Sequence, residues 1–211
     1  MDPRRKTFIE CSEISLALLR SPEVAVHWNG PSALPEFSLK GLAGHLVRAT
    51  GSVKAYLDRD EPEGEAISTA AYYAAAVDVS DIASPLHVAV RERGEEQAAG
   101  GLQALLLQHG SEIDHLRLRL AGEPEGRRIR VFKDLVLLLD DYLVTRIIEL
   151  TVHTDDLAVS VGLPTPEFPA AATALAIEAL VDVAILRNGD LAVLRALTRR
   201  ERDEVEALRV L

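Results

Sequence analysis

A single cysteine, Cys11, excludes an intrachain disulfide and fits a reducing compartment. Aromatic residues make up only 4% of the chain. Alanine and leucine take their place, which favours helices packed on helices. No alternating apolar run is bounded by hairpin turns, so a large sheet is not expected. No stretch is long and apolar enough to span a bilayer. The N-terminal MDPRRKTFIECSEI lacks the apolar core of a signal peptide, so a cytoplasmic protein without a membrane partner is expected. Positive charge is also scarce: 23 Lys and Arg stand against 33 Asp and Glu, a net charge of −10. A nucleic-acid backbone is a poor partner for such a chain. No repeat of 20–50 residues is evident.

What is present is apolar: 48% of 211 residues are hydrophobic, enough for one substantial core. Helical periodicity begins at residues 4–20, with Phe8, Ile9, Ile14, Leu16 and Leu19 facing the core. Ser21-Pro22-Glu23 starts a short helix that ends at Asn29-Gly30-Pro31. Ser38 caps a second long helix, LKGLAGHLVRATGSVKAYLDRD. Its Gly41, Gly44 and Gly51 permit close approach of a neighbouring helix or leave room for a ligand. An acidic linker, RDEPEGEA, leads to a helical stretch from about Thr69 to Ala76 and a turn at Asp81 to Pro85. One long helix is expected from Pro85 to Ala121, bent at Gly94 or Gly100-Gly101. Arg91 on it belongs to a charged patch but is placed to reach a bundle interior. His27 reads as a packing or surface residue, and His87, His109 and His115 read as surface residues. Ile129–Leu139 is apolar and ambiguous, with an extended conformation open to it. After Pro164 and Pro166 come two more helical patterns, about Ala170–Leu186 and Leu191–Leu208. The last reads as an exposed cap or an oligomer contact, as in a homodimer.

The stretch that organises the chain is YLVTRIIELTVHTDDLAVSVG, Tyr142 to Gly162. Tyr142, Arg146, Glu149, His153 and Asp156 fall on one stripe of a helix, because residues three and four apart share a face. Glu149 and His153 are one turn apart, roughly 6 Å along the axis. Large aliphatics flank the stripe, while Thr151, Thr154, Asp155 and Ala158 lie opposite and offer a face to water. The charged stripe then looks inward, where ionisable groups are costly unless paired or metal-bound. A metal site and an internal salt-bridge network both satisfy that requirement. His45, bordering the apolar side of its own helix, is the residue that could bring a third ligand.

Three segments, HWNGPSALPEFSLKGLAGHLVRA, LLLDDYLVTRIIELTVHTDDLAVSVGLP and NGDLAVLRALTRRERD, together resemble the N-terminal domain of mycothiol-dependent maleylpyruvate isomerase. That domain is a branch of the DinB-like superfamily, and the resemblance covers most of residues 5–205. Its most specific part is the E-x-x-x-H-x-x-D-L run at Glu149–Leu157, coupled to Gly44-His45-Leu46. The resemblance implies an all-α, up-down four-helix bundle over residues 1–166, with 167–211 as a C-terminal helical extension. It implies a divalent metal, usually zinc, held by His45, Glu149 and His153. Two imidazoles and one carboxylate leave open positions, as catalytic zinc sites do. It also implies a low-molecular-weight thiol, mycothiol, as co-substrate for a small electrophilic substrate, since a thiol held at such a metal is favoured as the nucleophilic thiolate. Asp156 is a candidate partner for an imidazole N–H. Arg146 is a candidate to orient Glu149 or bind an anionic substrate, or it is a simple ion pair; Arg91 is a further catalytic candidate.

Full-length isomerases of this kind carry a second, sterol-carrier-like α/β domain. The tail after Pro166 is too short for one and reads as helices, so the expectation is firmer for fold and metal than for isomerisation. The functions left open are a metal-dependent thiol transferase or isomerase, a metal-dependent hydrolase, and a non-catalytic small-molecule-binding module.

Overall fold

Nine α-helices and one two-stranded ribbon account for the regular structure among the described residues of this computed structural model, which are 2–76, 84–199, 201 and 205–210. Local capping explains the starts of the early helices. Asp2 accepts from the Arg4 amide ahead of α1 (Pro3–Leu19). Ser21 does the same for α2 (Pro22–His27), and Ser38 accepts from the Gly41 amide to open α3 (Leu39–Leu57). α4 (Thr69–Ala76) follows the acidic linker, and α5 (Pro85–Gln97) starts from Ser84 with Pro at its first turn. α6 (Leu102–Gly122) leads to β1 (Arg128–Arg130), paired antiparallel with β2 (Val136–Leu138). α7 (Leu139–Ser160), α8 (Ala170–Asn188) and α9 (Asp190–Thr198) complete the helices, and a 3-10 turn spans Val205–Leu208.

α1, α3, α6 and α7 form the ring of a four-helix bundle: α1 meets α6 and α7, and α3 meets the same two from the other side. α5 lies along α3, α8 packs on α4 and α7, and α9 packs on α8. Phe8, Leu19, Leu42, Leu46, Leu116, Tyr142 and Ile148 are fully or almost fully buried in one continuous core. No helix among the described residues is long and apolar enough to cross a membrane.

A buried ion pair locks the bundle's end. Arg5 on α1 donates from Nε to Asp140 Oδ1 at 2.7 Å and from Nη2 to Oδ2 at 3.0 Å. Its Nη1 also reaches the carbonyls of Leu120, at 3.0 Å, and Glu123, at 2.7 Å, where α6 terminates. One guanidinium thus satisfies the first turn of α7 and the carbonyls at the end of α6, groups that would otherwise be buried unpaired.

α3 and α5 approach more closely than any pair of side chains would permit. A Cβ on Gly44 would lie 2.0 Å from the Gly94 carbonyl oxygen, and one on Gly94 would lie 2.4 Å from that of Gly41. Backbone thus meets backbone in both directions. Ser38 donates to Glu95, and Lys40 pairs with Glu95 at 3.2 Å, closing the same seam.

Several expectations need correction. The helix expected over Pro85–Ala121 is two, because the chain turns at residues 98–101, where Gly101 takes φ +81°. Gly94 serves contact with α3 and is no bend. Ile129–Leu139 is resolved as strand, 3-10 turn and strand running into α7. Thr154 and Ala158 do not face water: both are fully buried, since α1, α3, α4 and α8 all pack on α7. The helix expected over Leu191–Leu208 stops at Thr198, where Arg199 is extended (φ −133°, ψ 96°). Residues 81–83 of the expected Asp81–Pro85 turn lie outside the described residues.

His109, expected at the surface, is wholly buried. It occupies the inward stripe Leu105–His109–Ile113–Leu116–Leu120 of α6. Its Nε2 is 3.1 Å from Ser15 Oγ, which donates to the Ser12 carbonyl, while Ser12 Oγ meets Thr50 Oγ1 at 3.1 Å. Burial pushes the imidazole down to about 4.

Two predictions follow from this packing. Gly44→Ala should cost about 3 kcal/mol or more, because the obstruction is backbone; Gly110→Ala, whose nearest neighbour would be an ordinary 3.8 Å from the new methyl, should gain about 0.5–1 kcal/mol. Urea unfolding of both variants checks the contrast. For His109 the folded pKa is below the unfolded one, so the unfolded chain binds more protons between about 4 and about 6.5. Stability should therefore fall through that window as pH falls, by on the order of 3 kcal/mol. His109→Gln, which cannot titrate, should lose that part of the slope, and unfolding curves across this pH range decide it.

Candidate metal centre and cavity

Glu149 stands at the centre of the inward stripe of α7. Its Oε2 is 3.2 Å from Nε2 of His45 on α3 and 3.4 Å from Nε2 of His153, one turn further along α7. Its Oε1 accepts from the Tyr73 hydroxyl of α4 at 3.3 Å and lies 3.9 Å from Arg146 Nη2. Nδ1 of His153 is held 2.9 Å from Asp156 Oδ2. The two imidazoles meet edge to face, 4.7 Å between centroids. Arg146 lies over the Tyr142 ring at 4.8 Å and donates from Nε to Thr145 Oγ1 at 2.9 Å. Three helices thus supply one cluster, and i, i+3 and i, i+4 spacing supplies all of the α7 members.

The cluster's electrostatics follow from partial burial. Side-chain exposures of 19% for His45, 17% for Glu149 and 20% for His153 leave one edge of each open to a cavity. Burial works to raise the Glu149 carboxyl, but the imidazoles of His153 and His45 and the Arg146 charge outweigh it and hold the group well below the usual carboxylate range. Burial works to lower His153 as well; its bonds to Asp156 and Glu149 prevail and bring it up to about 9. For His45 burial prevails over its bond to Glu149, and the imidazole is lowered.

His45, Glu149 and His153 each offer one ligand atom, and these lie within 4.8 Å of one another. The donor set could hold one metal ion. The two separations to Glu149 Oε2, 3.2 and 3.4 Å, are those of neighbouring donors on one ion with bonds of about 2.0–2.1 Å. Asp156 takes the Nδ1 side of His153, so Nε2 is the nitrogen turned to the cluster.

A cavity of about 420 Å³ opens over the cluster. His45, Arg48, Ala49, Ser52 and Tyr56 of α3 form one wall, at the spacing of a single helix face. Leu86, His87, Val90 and Arg93 of α5 form the facing wall, and Tyr72, Ala76, Phe132 and Val152 close the sides. Ser52 Oγ and the Tyr142 hydroxyl are hydrogen-bonded at 2.9 Å within it.

Of the residues expected from sequence, His45, Glu149 and His153 converge, and Arg146 and Asp156 flank them. Arg91 does not reach the cluster: it lies in a separate groove with Glu36, Glu92, Glu95 and Glu96. The α5 arginine that lines the cavity is Arg93, two residues on, because a shift of two turns a side chain to another face. Tyr73, Arg48 and Arg93 escape the sequence reading. Arg48 carries a usable signal, three residues after His45; Tyr73 sits on a short helix after a linker, with no spacing to connect it to Glu149.

A helical bundle whose floor gathers two histidines and a glutamate from separate helices has the architecture of a DinB-like protein. The family described as Mycothiol maleylpyruvate isomerase N-terminal domain matches residues 10–158, and the chain belongs to it. Neither a curated protein nor a solved structure matches.

Asp156→Asn should let His153 fall from about 9 toward its ordinary value in chelator-treated protein. While His153 is raised, the folded chain holds a proton that the unfolded one releases, so stability of the metal-free protein should decline as pH rises from about 6.5 through about 9. Histidine NMR titration of the two proteins tests this, and an unchanged His153 would remove Asp156 from the role.

Proposed function

We propose that His45, Glu149 and His153 hold one divalent ion, zinc by its donor chemistry, and that the chain is a metal-dependent enzyme of the thiol-transferase or isomerase type. Its substrates on this reading are a small electrophile and a low-molecular-weight thiol, mycothiol by family membership. The observation that carries the reading is the convergence of three ligand atoms from two helices on the floor of a cavity of about 420 Å³. Three protein donors leave a coordination position free for a small molecule. When bound, the ion supplies Lewis acidity and favours the deprotonated form of a thiol beside it.

The chain's own residues prepare that site. Asp156 fixes the tautomer and ring plane of His153 by accepting from Nδ1. Tyr73 and Arg146 occupy the Oε1 side of Glu149, which leaves Oε2 to the metal. Phe37 meets His45 in a tilted ring contact, 5.9 Å between centroids, on the cavity wall. The thiol must come from outside the chain. Cys11 is fully buried in α1, and burial pushes its thiol up to about 12. A homodimer contact through the C-terminal helices belongs to the same proposal, supported by exposed Leu191, Leu194 and Leu197 on α9.

Elemental analysis of purified protein should find about one metal per chain, and His153→Ala should reduce that by at least tenfold. Thiol consumption with mycothiol and a panel of electrophiles should then require the metal. Metal retained after His153→Ala overturns the ligand set. Metal bound with no thiol consumed would instead favour a binding module or a hydrolase.

A further inference from the structure

Arg48 of α3 and Arg93 of α5 both line the cavity, and among the described residues neither guanidinium has a hydrogen-bond or ion-pair partner. Each is half-buried. The glycine seam fixes them there: Arg48 is one turn beyond Gly44, and Arg93 directly precedes Gly94. Burial, and next the adjacent Arg93 charge, pull Arg48 below its usual range. Glu149 does not relieve them, because it is taken by His45, His153, Tyr73 and Arg146, and Glu96, which is exposed, acts on Arg48 more weakly than Arg93 does. Two like charges held close together, with no counter-ion in contact among the described residues, oppose folding, and such an arrangement is kept where a ligand completes it.

We infer that Arg48 and Arg93 form an anion-binding subsite that takes the carboxylate of a small organic substrate whose body lies toward His45, Glu149 and His153. This rests on the cavity being a small-molecule site, as proposed above. A planar, forked guanidinium suits a carboxylate, and two of them from neighbouring helices suit its two oxygens. The rest of the wall is apolar and aromatic, Tyr56, Leu86, Val90 and Phe132 among it, which suits a carbon skeleton rather than a bare inorganic ion. A chain of net charge −10 gathers positive charge here against its overall balance, and that field draws anions to the cavity.

The test is calorimetric titration of the purified protein with fumarate, with neutral fumaramide and with inorganic phosphate, before and after metal removal by chelation. Fumarate should bind saturably in both states and much more tightly than fumaramide or phosphate. Arg48→Gln and Arg93→Gln should each weaken it about tenfold, while leaving metal content unchanged. Their melting temperatures without ligand should equal or exceed that of the parent, since a repulsion is removed; fumarate should raise the melting temperature of the parent and not of the double variant. Failure of fumarate to bind, or equal binding of fumaramide, overturns the subsite. So does fumarate binding that vanishes with the metal and survives both substitutions, for the carboxylate would then sit on the metal. Phosphate binding as tight as fumarate overturns the assignment to a carboxylate. Metal content is read separately, so loss of the metal reading and loss of this subsite are distinguishable.

Discussion

A carboxylate placed inside a helical bundle must be satisfied from every side or it will not remain charged, and Glu149 sets that requirement for this fold. One oxygen faces two imidazoles and the other faces a tyrosine hydroxyl and a guanidinium. Those partners come from α3, α4 and α7, so the arrangement of three helices is tied to one side chain. The cluster also explains why α7 can be buried on nearly every side while carrying Arg146, Glu149, His153 and Asp156. Each charged group on it is answered by a neighbour within hydrogen-bonding or ion-pair reach.

The opposite wall of the cavity depends on a different constraint. α5 is not part of the bundle ring, and its contact with α3 is made through glycine backbone. Because neither helix carries a Cβ at the crossing, the α5 side chains on either flank of the seam are drawn toward α3. Val90 and Arg93 then overlook the cluster from above, whereas Arg91 and Glu95 fall on the far side. The seam thus decides which charges the cavity sees. Widening it by one methyl would alter the cavity and stability together, since the same atoms govern both.

How far the sequence reveals this depends on whether the signal is local. The α7 stripe is legible because Arg146, Glu149, His153 and Asp156 obey helical spacing, and His45 joins them through the resemblance. The long helices are legible from their apolar patterns and from Ser21, Ser38 and Gly162 as punctuation, while their four-helix ring comes through the resemblance. Tyr73 is not, because its link to Glu149 spans 76 positions and no periodicity bridges two helices. Thr154 and Ala158 mislead for a related reason: small and hydroxyl residues face water or close helix contacts equally well, and only the neighbours decide. His109 is the reverse case. Its polar neighbours suggest the surface, yet the stripe from Leu105 to Leu120 places it inward, and periodicity is the better guide there.

Charge economy links the two walls. His153 is the cluster's raised imidazole, held by Asp156 and Glu149, while burial lowers His45. A divalent ion bound by these ligands would displace the His153 proton and bring more positive charge toward the cavity than it removes. Arg146 is already committed to Thr145 and Glu149, so it does little to absorb a further anion. Arg48 and Arg93 are not committed in this way among the described residues. With a metal bound as proposed, the cavity would be more cationic than the acidic chain around it suggests. A neutral thiol can enter such a space without penalty, but it cannot balance the charge. On the proposed function, the partner that balances it carries the negative charge itself, and the cavity divides by chemistry: sulfur toward the two imidazoles and Glu149, oxyanion toward the two arginines.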